Sequence, residues 1–91
     1  MKRYRSRAEI VAQILGAIAN DERACISNKG ISKTRIMFKA FLSYSQLNEY
    51  LSLLTQKEMI EFDQTTQTFK LTKKGHRFLM AYEELSRDIK L

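Results

Sequence analysis

Ser43 stands three residues ahead of Gln46, and the pair interrupts what would otherwise read as one long helix over residues 33–57, KTRIMFKAFLSYSQLNEYLSLLTQK. A serine followed at the third position by glutamine is a capping box, which fixes a helix start at Tyr44. Upstream, Ile36, Met37 and Ala40 have the spacing of a short helix over residues 33–40, which Ser32 can cap. Only Phe41, Leu42 and Ser43 separate the two, so the chain must turn sharply, with Leu42 plugging the corner. In the second helix Leu47, Tyr50, Leu51 and Leu54 recur at helical spacing and form one buried stripe, while Ser45, Asn48, Glu49, Ser52 and Gln56 point outward. A short helix, a tight corner and a second helix with a small-polar outer face make a helix-turn-helix, whose second helix can lie in a DNA groove.

The rest of the chain supplies what such a pair needs for support. Ser6 and Glu9 form another capping box and start a helix at Arg7. Its buried stripe is Ala8, Val11, Ile14, Leu15 and Ile18, and it stops near Asn20. A polar connector over residues 21–32 holds a turn at Asn28, Lys29 and Gly30, with Ile31 in a short strand. After residue 57 the apolar period changes from 3.6 to 2: Ile60 and Phe62 alternate with Glu61 and Asp63, and Phe69 and Leu71 alternate with Thr68 and Lys70. Two short strands joined by residues 64–67 predict a hairpin, which must pack on the helices to be stable. Thr72 can cap a last helix over residues 73–90. There Phe78 and Leu79 face the domain, while Tyr82, Leu85 and Ile89 continue the apolar seam past it, which points to a second copy.

Charge narrows the partner. Residues 1–48 hold nine Lys and Arg against three acids, and residues 49–91 hold seven of each, so the net charge of +6 lies in the first half. A polarised basic surface is the footprint of a polyanion, nucleic acid first. Lys2, Arg3 and Arg5 around Tyr4 read as a basic arm able to follow a phosphate backbone or enter a minor groove. One histidine and one cysteine give no usual metal-ligand set, and Cys25 lacks the surroundings of an activated thiol. The expectations are therefore no enzyme activity, no cofactor, no metal and, with no long apolar run or signal region, a cytoplasmic protein without membrane contact.

The element order, together with Lys33-Thr34-Arg35-Ile36-Met37, Leu42-Ser43-Tyr44, Gln46-Leu47, Tyr50-Leu51, Leu71-Thr72, Lys74-Gly75, Phe78-Leu79 and Tyr82-Glu83, resembles the small archaeal winged-helix regulators and chromatin-associated DNA-binding proteins. The resemblance implies an α+β, mainly α fold: a winged helix-turn-helix over residues 7–72, a basic arm over 1–6, and a C-terminal dimerisation helix over 73–91. It also implies that this last helix pairs two chains as an antiparallel coiled coil. Where the family has glycine after the recognition helix this chain has Glu58, which must then adopt φ > 0 at a cost of order 1 kcal/mol.

Docked as winged helices dock, Ser43, Tyr44, Ser45, Gln46, Asn48, Glu49 and Ser52 lie nearest the base edges, Gln46 and Asn48 suited to adenine and Glu49 to cytosine. Lys33, Thr34, Arg35 and Lys39 hold the phosphates, as do Lys70 on the wing and Lys73, Lys74 or Arg77 after it. Phe78, Tyr82, Leu85 and Ile89 form the expected interface of a homodimer. The leading expectation is a double-stranded DNA-binding protein acting as a dimeric transcriptional regulator or chromatin protein. The alternatives are a winged-helix module that binds another protein and one that binds RNA.

Overall fold

The computed structural model describes residues 5–21 and 30–89. Three helices, α1 (Arg7–Ala19), α2 (Lys33–Ala40) and α3 (Tyr44–Gln56), precede a hairpin of β1 (Ile60–Asp63) and β2 (Thr68–Leu71), and α4 (Lys73–Ile89) closes the described chain. This is a mainly helical α+β arrangement in which two strands form a wing beside a helix-turn-helix.

Both capping boxes form. Ser6 Oγ accepts from the Glu9 backbone N–H at 3.1 Å, and Ser43 Oγ accepts from that of Gln46 at 3.2 Å, with the Glu9 and Gln46 side chains reaching back to the cap backbones. Ser32 caps α2 through the Arg35 N–H. Thr72 performs two tasks at the start of α4: its Oγ1 accepts from Gly75 N–H at 3.1 Å and donates to the Glu58 carbonyl at 2.6 Å. The helix is thereby tied to the turn that leaves α3.

The core is a single cluster: Ile10, Val11, Ala12, Ile14, Leu15 and Ile18 of α1, Ile36 and Ala40 of α2, Leu42 of the corner, Leu47, Leu51 and Leu54 of α3, then Ile31, Ile60, Phe69 and Leu79. The buried part of α1 is wider than the expected stripe. Ile10 is buried and Ala8 exposed, because α1 touches α2, α4 and β2 and so is covered on more than one side. Phe69 lies in the middle of the small sheet, pairing with Phe62 on one side and bridging to Ile31 on the other. Phe62, on the free edge strand, stays 41% exposed although its ring lies 4.8 Å from that of Phe69. Alternation puts both rings on one face, and the edge position leaves Phe62 partly uncovered.

Among the described residues, three non-glycine residues have left-handed backbones: Phe41 (φ 54°), Glu58 (φ 63°) and Gln67 (φ 57°). Glu58 is the position where the family resemblance implied φ > 0. Its side chain is exposed, so glycine there removes a Cβ penalty of about 1 kcal/mol without emptying any packed space. Glu58→Gly is therefore expected to raise the melting temperature by about 5 °C. A lower melting point in a thermal scan would show that the glutamate side chain contributes more than its backbone costs.

The last helix differs from the expectation in its middle. Phe78 and Tyr82 are half-buried against this chain's own core, because α4 lies across α1. Phe78 packs on the domain as its spacing implies, and Tyr82, expected beyond the core, reaches it as well. Leu85 is 56% exposed and Met80 52%. The side chain of Ile89 falls outside the described residues, as do the expected turn at Asn28 and Lys29, Cys25, and the arm residues before Arg5.

Candidate nucleic-acid interface

The corner between α2 and α3 is held from a distance. Phe41 ends α2 in the left-handed region, and its N–H and that of Leu42 both bond the Met37 carbonyl. That arrangement leaves the last carbonyls of α2 without helical partners. Arg5 fills the gap: one terminal nitrogen donates to Ala40 O at 2.7 Å and to Gln13 Oε1 at 2.5 Å, and the other donates to Phe41 O at 3.0 Å. A guanidinium at a helix C-terminus also meets the negative end of the helix dipole. Arg5, which composition assigns to a loose basic arm, is a structural clamp on the corner.

Two cations of α2 are likewise engaged. Asp21, the residue after the α1 C-cap, is 1% exposed. Its Oδ2 accepts from Arg35 Nε at 2.8 Å and lies 3.1 Å from Lys39 Nζ. Arg35 and Lys39 are four apart on one helix face, so a single carboxylate reaches both. They remain about 40% and a third exposed, and the terminal nitrogens of Arg35 keep four N–H donors for other acceptors. Their first partner is nevertheless inside the protein.

The third cation of α2 points differently. Lys33 Nζ donates to Asn48 Oδ1 at 2.7 Å and sits 5.0 Å from the centre of the Tyr44 ring. Tyr44 and Asn48 are one turn apart on α3, so the ammonium lies along the recognition helix itself. The Tyr44 hydroxyl is correspondingly made more acidic, first by its hydrogen bond with the Asn48 side chain and then by the Lys33 charge.

The remaining positions divide by exposure. Ser43, Tyr44, Ser45, Gln46, Glu49 and Ser52 are exposed on or before α3, and Thr34 on α2. Gln46 spends its side-chain oxygen on the cap, accepting from Ser43 N–H at 3.3 Å, so the end it presents outward is its NH2. Lys70 is half-buried on β2, opposite Glu61 in register, and Lys73, Lys74, His76 and Arg77 are exposed at the start of α4. The wing tip is polar and ordered by its own side chains: Asp63 Oδ1 accepts from Thr65 N–H, and Gln67 Nε2 donates to Gln64 O.

Two exposed aromatics carried no weight in the sequence. Phe38 is 70% and Phe41 83% exposed, beside the corner. Their sequence signal was present: Phe38 falls off the Ile36, Met37, Ala40 stripe, and Phe41 sits where the chain must reverse. Asp21 gave a fainter one, as an acid among nine bases placed just past a helix end. Nothing local pairs Lys33 with Asn48, 15 residues away; only the angle between the helices brings them together.

Among the described residues, no helix is long and apolar enough to cross a membrane, and no three His, Cys, Asp or Glu side chains are grouped to hold a metal ion. The family model described as winged helix-turn-helix matches residues 4–90. No curated protein gives a significant match.

Proposed function

Since the chain belongs to the winged helix-turn-helix family, we propose that it binds double-stranded DNA as a homodimer, acting as a transcriptional regulator or chromatin-associated protein of the archaeal kind and carrying out no catalytic step. The observation that carries this reading is the ammonium of Lys33 lying on the exposed polar face of α3. A cation there has no role in the core, and it meets the need of a helix that must approach phosphates and base edges. Lys39, Lys70 and the basic start of α4 supply further phosphate contacts, and Arg35 does so through its terminal nitrogens. Leu85 on α4 is the exposed centre of the second copy's contact.

Titration of a labelled duplex over a range of salt concentrations tests the DNA reading. With about five phosphates neutralised by each chain of the dimer, log K should fall against log[salt] with a slope of roughly −9. A flat line would sink it. For the dimer, sedimentation of the full chain should give twice the 10.7 kDa mass, and Leu85→Glu should give the single mass. A parent chain sedimenting at 10.7 kDa overturns the pairing.

A second reading, a module that binds another protein, is favoured by the exposure of Phe38 and Phe41. It gains if Lys33→Met and Lys70→Ala leave duplex affinity unchanged while Phe41→Ser abolishes capture of a purified partner.

A further inference from the structure

An ammonium donates three hydrogen bonds and accepts none. Lys33 at 2.7 Å from Asn48 therefore decides which way that amide faces: the oxygen turns to Lys33 and the NH2 turns away. The Tyr44 hydroxyl joins the same group, its oxygen drawn toward the Asn48 amide and the Lys33 charge. The two acceptors of the group, Asn48 Oδ1 and the Tyr44 hydroxyl oxygen, are thus directed inward. The Asn48 NH2 serves the Tyr44 oxygen with one hydrogen and keeps the other, so the group's remaining capacity is a set of donors: N–H of Lys33, the second N–H of Asn48 and O–H of Tyr44.

Resting on the DNA-binding reading above, we infer that Lys33 and Asn48, backed by Tyr44, form one reading unit for the major-groove edge of guanine. Guanine is the only base that offers two acceptors there, N7 and O6. Adenine offers one acceptor and one donor, and matching both needs an asparagine whose oxygen is free. Here that oxygen is held by Lys33, so the adenine preference that Asn48 would show alone is removed. The recognition helix carries no arginine, and Lys33 from the neighbouring helix supplies the missing cation. The ammonium, held over the Tyr44 ring and on Asn48 Oδ1, is already placed, which limits the freedom that a lysine otherwise loses on binding. Gln46 and Glu49 lie outside this unit, Gln46 being engaged in the cap.

The test is selection of duplexes from a random pool by the full chain, followed by titration of the selected duplex with 7-deazaguanine in place of each guanine in turn. Selected duplexes should share a guanine, and removing its N7 should weaken binding about tenfold or more. Lys33→Met, which keeps the apolar stem, should lose the guanine preference and move it toward adenine. Asn48→Asp keeps an oxygen for Lys33 but replaces donors by an acceptor, and should move the preference toward cytosine with the helical circular dichroism unchanged. If Lys33→Met weakened all sequences equally and kept the guanine preference, Lys33 would be a phosphate contact and the inference wrong. Selection without any guanine preference overturns this inference alone. Retention of no duplex even at low salt overturns the DNA reading and the inference together.

Discussion

Gly75→Ala is expected to destabilise the fold by about 3 kcal/mol, the upper end of what overpacking a tight site costs. In an exposed helix the same change gains about 1 kcal/mol, so the sign itself is diagnostic. A Cβ at Gly75 would lie 2.0 Å from Met59 O and 3.0 Å from the carbonyl carbon of the same residue. Neither atom can yield by a side-chain rotation. Met59 O already accepts from the Thr72 N–H at 3.0 Å, and Gly75 N–H is bound to Thr72 Oγ1. The first turn of α4 and the turn leaving α3 are thus fastened at the point where the methyl group must enter, and the whole helix has to move. Urea unfolding should show the loss, with a melting temperature lower by about 15 °C. Gly16 provides the control: a Cβ there meets only the Asn20 side chain, at 3.9 Å. Gly16→Ala should stabilise by up to about 1 kcal/mol. A Gly75→Ala protein as stable as its parent would mean that α4 does not approach Met59 this closely.

Arg35→Ala carries the second large effect. Asp21 keeps only 2% of its side chain exposed, and removing one partner of a buried ion pair costs about 3–5 kcal/mol. Two features reduce that here. Arg35 is itself 41% exposed, where water screens the pair, and Lys39 stays 3.1 Å from the carboxylate. The expected loss is about 2 kcal/mol, read as a lower urea midpoint at unchanged slope. Pairing the change with Asp21→Asn should recover part of it, because the double variant leaves no charge buried without its partner. Additive losses in the double-mutant cycle would show that the two side chains do not interact. The same pairing bears on function. A fall in DNA affinity on replacing Arg35 or Lys39 would mix lost phosphate contacts with a loosened domain, so the cleaner probe of phosphate binding is Lys70.

Much of this architecture follows from rules that act over one or two turns. The capping boxes at Ser6 and Ser43 and the change of period after residue 57 all depend on neighbours within four residues, and each is found where local chemistry puts it. What local chemistry does not contain is which cations face inward. Arg5, Arg35 and Lys39 look alike in sequence to Lys33, yet three of them serve the fold and one lies on the recognition helix. The division is set by helix crossing angles and by Asp21, and neither leaves a periodic trace. Tyr82 shows the same limit: a seam of apolar residues states that something will cover it, and the path of α4 across α1 decides that part of the cover is the chain itself.

The clamp made by Arg5 has a kinetic side. Its bonds to Ala40 O and Phe41 O join residues 35 and 36 positions apart, whereas the caps and helices they secure close within four. Loop closure over that span is paid late, after local structure exists to offset it. The Arg5 bonds are therefore expected to form late, and Arg5→Ala should speed unfolding more than it slows folding in a urea chevron.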